Sequence, residues 1–111
     1  MATLKSIQVT QCDNELIGLA VPSGGTFSVE LFHFKLGGGI AAAPINYTVP
    51  NYTMLPPGNY TLLLIGSNWG GPGNFKVAVN YATGPSTDLT YGQPNPGIGT
   101  VWTPAGVPFT I

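Results

Sequence analysis

Tyr60-Thr61-Leu62-Leu63-Leu64-Ile65, then Gly66-Ser67-Asn68-Trp69-Gly70-Gly71-Pro72-Gly73-Asn74, then Phe75-Lys76-Val77-Ala78-Val79-Asn80-Tyr81 is the stretch that decides the fold. The first piece is a short apolar run bounded by turn residues, the pattern of a buried strand. In the last piece Phe75, Val77, Val79 and Tyr81 alternate with Lys76, Ala78 and Asn80, the two-residue period of a strand with one face inward. The glycines and proline between them break any helix. The reading is a β-hairpin, entered through the Pro56-Pro57-Gly58 turn.

The same signals recur outward from this unit. Lys5, Ile7 and Val9 alternate with Ser6, Gln8 and Thr10 in a first half-buried strand, and residues 15–21 make a second after the Asp13-Asn14 turn. Over residues 26–36 the apolar face changes sides: Phe27, Val29 and Leu31 point one way, then Phe32, Phe34 and Leu36 take the other. Such a switch requires either a β-bulge or a strand with apolar residues on both faces. Residues 37–43 read as a small-residue loop and 45–49 as a short strand. After Gly84-Pro85 the chain is irregular, with extended pieces only at 99–103 and 107–111, which the prolines confine to sheet edges.

Sixteen glycines and eleven prolines punctuate the 111 residues too often for any helix longer than a turn. The length suits one domain, 1–111, with a Pro/Gly-rich C-terminal segment over 84–111. The expected fold is an all-β, two-sheet antiparallel β-sandwich of seven or eight short strands, immunoglobulin-like or jelly-roll in layout.

Charge is the most unusual quantity. Charged residues make up 6% of the chain, against about 25% in an average soluble protein. There are three lysines, no arginine and four acidic residues. Three scattered lysines cannot neutralise a phosphate backbone, so nucleic acid is not expected as a partner, and attraction to an anionic membrane fails for the same reason. The longest aliphatic run, residues 62–65, is far short of a membrane-spanning helix. The N-terminus lacks the basic-then-apolar order of a secretory signal, which leaves the compartment open. A surface with so little net charge resists self-association poorly, which favours a homo-oligomer.

Chemistry-bearing residues are few. Cys12 and His33 are the single cysteine and histidine. The two could in principle form a nucleophilic dyad, although a lone cysteine is ordinarily a small buried hydrophobe. Asp13, Glu15 and Asp88 are candidate calcium ligands, but calcium takes six to eight oxygens; no metal or other cofactor is expected. Asn46, Asn51 and Asn59 each begin an Asn-Tyr-Thr triplet that fits the N-glycosylation pattern, and the same residues also suit strands and the turns beside them.

Loop aromatics carry more information. Trp69 lies beside Asn68 and Asn74, while Tyr91 and Trp102 lie in the Pro/Gly-rich tail. An aromatic face next to amides suits stacking on a sugar ring, and the competing expectation is that these rings fold back to cap the sandwich. Phe32, Phe34 and Leu36 are the candidate subunit interface. The function expected is thus a non-enzymatic binding or assembly module forming a homo-oligomer, such as a structural or particle-surface protein of the phage or viral kind. The alternative is a small lectin using Trp69, Asn68, Asn74, Trp102 and Tyr91.

Overall fold

The computed structural model describes residues 2–35, 44–50 and 55–111. Nine strands are described: β1 (Leu4–Cys12), β2 (Glu15–Pro22), β3 (Val29–Lys35), β4 (Pro44–Pro50), β5 (Asn59–Asn68), β6 (Gly73–Tyr81), β7 (Thr87–Gln93), β8 (Gly99–Trp102) and β9 (Val107–Thr110). They form two antiparallel sheets packed face to face, one in the order β4-β1-β6-β7 and the other β3-β2-β5-β8, with β9 also on β5. The fold is a β-sandwich.

The decisive stretch forms two strands with the expected phases. Tyr60, Leu62 and Leu64 of β5 and Phe75, Val77 and Val79 of β6 are buried. The hairpin is corrected, however. β5 pairs with β2, β8 and β9, while β6 pairs with β1 and β7, so the connection at 69–72 arches from one sheet to the other. Every edge of β5 and β6 is taken by another strand, and the two meet through their side chains across the core. The corner at Asp13-Asn14 is likewise a sheet crossing, since β1 and β2 belong to different sheets.

Two bulges correct the phase of β1. The register slips between Leu4 and Ser6 and again between Val9 and Gln11. Each adds one residue, so Leu4, Ile7, Val9 and Cys12 all face the core, and Lys5, expected inward, is exposed. A third slip explains the face switch: Gly18 pairs with Phe32 and Leu19 with Glu30, leaving Leu31 as the extra residue of a bulge in β3. Phe32 is thereby turned into the core above Gly18, where a Cβ would lie 2.3 Å from its ring. Glycine at this position in mid-strand is a packing requirement.

β7 was not expected, because only Leu89 and Tyr91 of its seven residues supply apolar side chains toward the core. β8 and β9 share the free edge of β5, β8 on Gly66–Asn68 and β9 on Asn59–Leu62. Pro108 sits in β9, on an edge, as its missing N–H demands. At the same end Thr3 bridges Thr110 and the Thr110 N–H donates to Ala2 O, which seals one sheet to the other.

Candidate functional site

The end of the sandwich where β1 passes to β2 and β5 to β6 concentrates the polar burial. Among the described residues, the polar side chains that are buried are Asp13, Asn14, Ser67 and Asn68, and all four flank that end. Asn14 adopts φ of 84°, a left-handed conformation that asparagine tolerates better than other side chains. Its amide donates to Asp13 Oδ1 and to Pro72 O, both at 3.1 Å, and its Oδ1 accepts the backbone N–H of Trp69 at 3.1 Å. Asn74 Nδ2 lies 3.4 Å from Asp13 Oδ2, and the Asp13 N–H donates to Asn74 O. Asn68 donates to Gly71 O and Gly97 O, while its Oδ1 is buried with no hydrogen-bond partner. Burial of Asp13 raises its pKa despite the amide beside it. Burying an unpartnered acceptor costs about 1–3 kcal/mol, so this end of the fold gives up stability to hold the 69–72 loop in one place.

What the loop presents is Trp69, 50% exposed. Its indole Nε1–H donates to Glu15 Oε1 at 2.9 Å, and His33 Nε2 lies 2.6 Å from Glu15 Oε2. His33 Nδ1 is 3.5 Å from Glu30 Oε1. The hydrogen bonds from His33 and Trp69 lower the pKa of Glu15, and the positive charge of Lys35 opposite it acts in the same direction. Two strands and a loop thus converge on one carboxylate.

The aromatic candidates divide. Trp102 stacks on Phe75 with ring centroids 5.6 Å apart and planes 4° from parallel, and Tyr91 packs against both. Gly66 makes room for Phe75, since a Cβ there would approach its ring to 2.8 Å. Trp102 and Tyr91 are therefore half-buried rings packed against the core, whereas Trp69 stands out in the loop. Asn68, also named for a glycan site, is enclosed and spends its amide on the loop backbone. Asn74 is half-buried and sits against Asp13. Trp69 alone keeps the position the sequence suggested for it.

The other candidates are redistributed as well. Phe32 is buried in the core, and Phe34 packs against that core and meets Tyr47 edge-on at 5.0 Å, bridging β3 to β4. The expected interface is thus turned inward by the β3 bulge; Leu36, its third member, lies outside the described residues. Cys12 faces the core with its thiol pKa pushed up to about 12 by burial and by the charges of Asp13 and Glu15, whereas His33 faces out from the opposite sheet. The two do not form a dyad. Asp88 lies on β7 beside Lys76 and Thr90, apart from Asp13 and Glu15, and among the described residues no group of three His, Cys, Asp or Glu is placed to hold a metal. Asn59 Oδ1 accepts from Thr110 Oγ1 at 2.9 Å. The side chain of Asn46 and all of Asn51 lie outside the described residues.

A second feature, missed in the sequence, is the outer face of the β3-β2-β5 sheet. On β2 the inward residues are Leu16, Gly18 and Ala20, and the outward ones are the bulkier Ile17, Leu19 and Val21. Ile17 pairs with Ile65 and Leu19 with Leu63, so the apolar surface continues onto β5. Phe27, 66% exposed, closes a shallow groove of about 350 Å³ with Leu19, Val21 and Leu63. The opposite sheet turns out Ser6, Gln8, Lys76, Ala78, Asn80, Asp88 and Thr90 instead. The signal was present in the absence of polar residues between Leu16 and Val21 and between Leu62 and Ile65.

Compared with protein-family models, with curated proteins and with solved structures, the chain has no match.

Proposed function

We propose that the protein is a non-enzymatic assembly module that associates with copies of itself through the outer face of the β3-β2-β5 sheet. The observation that carries this reading is the contrast between the two outer faces. A solvated antiparallel sheet ordinarily turns polar residues outward, as β1, β6 and β7 do, while β2 and β5 turn out Ile17, Leu19, Val21, Leu63 and Ile65. Contiguous apolar surface of this kind marks a contact site. The charges nearest it, Glu15, Glu30 and Lys35, stand at one end or along the β3 edge, so the centre can be covered without burying an unpaired ion. The low overall charge offers little repulsion between copies. A structural subunit on the surface of a larger particle is the role this chemistry fits best.

Light scattering coupled to size exclusion tests the reading. The wild-type protein is expected as a defined oligomer whose population rises with concentration. The double variant Leu19→Lys/Leu63→Lys is expected as a folded monomer, because both side chains point away from the core, with a melting temperature lowered by the lost association and by two like charges set opposite each other. A wild-type monomer at every concentration, or an oligomer indifferent to the two lysines, overturns it.

A further inference from the structure

We propose that Trp69, Glu15 and His33 form a stacking site for a neutral sugar ring at one end of the sheet that carries the assembly face, with Glu15 two residues along β2 from Ile17 and His33 paired with Ile17 across the strands. Trp69 is held at two points, its indole Nε1–H on Glu15 Oε1 and its backbone N–H on Asn14 Oδ1. Among the described residues no aromatic ring stacks on it, whereas Trp102, Tyr91 and Phe75 stack on one another. Gly70 follows it with φ of 154°, and a Cβ there would meet nothing within 4 Å, so the approach along the loop is open.

A large apolar ring left half in water is unfavourable, and fixing it with buried Asp13, Asn14 and Asn68 adds cost. Both make sense where a rigid aromatic surface must be ready for a flat ligand, because a ring already held in place loses little entropy on binding. The polar groups at its edge set the ligand class. Glu15 anchors the indole and the imidazole, and the exposed groups beside it are His33 and the carboxylate of Glu30. Acceptors and an imidazole alongside an apolar plate match a pyranose, which has an apolar C–H face and a rim of hydroxyls. An anionic sugar would meet two carboxylates, Glu15 and Glu30, against the single ammonium of Lys35. A cation would find Glu15 already engaged by two N–H donors.

The test uses the full chain, ¹⁵N-labelled, against an array of neutral hexose, deoxyhexose and N-acetylhexosamine oligosaccharides and a proline-rich peptide as competitor class. At least one sugar is expected to move the Trp69 Nε1–H resonance saturably by about 10 mM, a concentration that fills a millimolar site, without moving that of Trp102. Trp69→Ala should weaken binding at least about tenfold, and Trp69→Phe, which keeps a ring, should weaken it less. Glu15→Gln should weaken binding while the fold persists, since the indole then loses its charged anchor. No saturable shift with any neutral sugar, a shift that survives Trp69→Ala, or a shift produced by the peptide alone overturns the proposal. Because the site borders the assembly face, the titration is run on the Leu19→Lys/Leu63→Lys variant as well as on wild type with the oligomer read by light scattering, so that failure of either proposal is told apart from failure of the other.

Discussion

The Trp69 indole Nε1–H donates to Glu15 Oε1 across 54 residues of sequence, fastening the arch between β5 and β6 to the first residue of β2. Because His33 occupies the other oxygen, this carboxylate is worth more ionised than protonated.

Glu15 and Asp13 should therefore respond to acid in opposite directions. The folded-state pKa of Glu15 is lowered, so its contribution is present above the usual carboxylate range and is lost as pH falls through that range and below. The pKa of Asp13 is raised by burial, so it penalises the fold at neutral pH, and that penalty is relieved as pH falls through its folded value toward its unfolded one. Melting temperatures measured between pH 7 and pH 3 should fall less steeply for Glu15→Gln than for wild type. Identical profiles would remove Glu15 from the account.

Asn14→Gly should be milder than Asn14→Ala. Both lose the bonds to Asp13, Pro72 and Trp69, with a cost of about 1–3 kcal/mol for the buried groups left unpaired. Alanine must also adopt φ near 84°, which glycine does freely. Urea midpoints rank the two, and amide exchange at residues 69–72 should accelerate in both.

Gly18→Ala should destabilise by about 1–3 kcal/mol, because the new methyl lies 2.3 Å from the Phe32 ring in an enclosed site. Combining it with Phe32→Leu should recover part of the loss. Strict additivity of the two changes in chemical denaturation would show that they are not in contact.

Cys12 should resist alkylation in the native protein. Its side chain is inaccessible and its thiol pKa stands at about 12, leaving roughly one thiolate in 10⁴ at pH 8. The rate of iodoacetamide labelling should follow the unfolding equilibrium as urea is added. Rapid labelling without denaturant would place the thiol at the surface.

How much of this was legible in the sequence depends on whether the signal is local. The alternation of Phe75 to Tyr81 and the run of Tyr60 to Ile65 fixed two strands and their inward faces, because side-chain period is a property of the strand itself. Which strand pairs with which is not, and β5 and β6 read as a hairpin although they lie in opposite sheets. The face switch at Leu31 was visible, with a bulge as one of its two readings, but its effect, turning Phe32 and Phe34 into the core, depends on Gly18 of a neighbouring strand. Trp69 and Trp102 look alike in sequence, each set among glycines and prolines. They are separated by Gly66, whose missing side chain lets Phe75 rise to meet Trp102. Glu15 entered as a candidate calcium ligand and His33 as half of a dyad with Cys12, since nothing in sequence spacing brings residues 15, 33 and 69 together.

The two outer faces of the sandwich have a physical consequence that needs no partner. With Ile17, Leu19, Val21, Phe27 and Leu63 on one side and Gln8, Ser6, Asn80 and Thr90 on the other, the molecule is a flat amphiphile. At an air–water or oil–water boundary it has a preferred way up, aliphatic sheet toward the dry phase and amide-rich sheet toward the wet one. Its few charges leave adjacent molecules free to crowd side by side into a film.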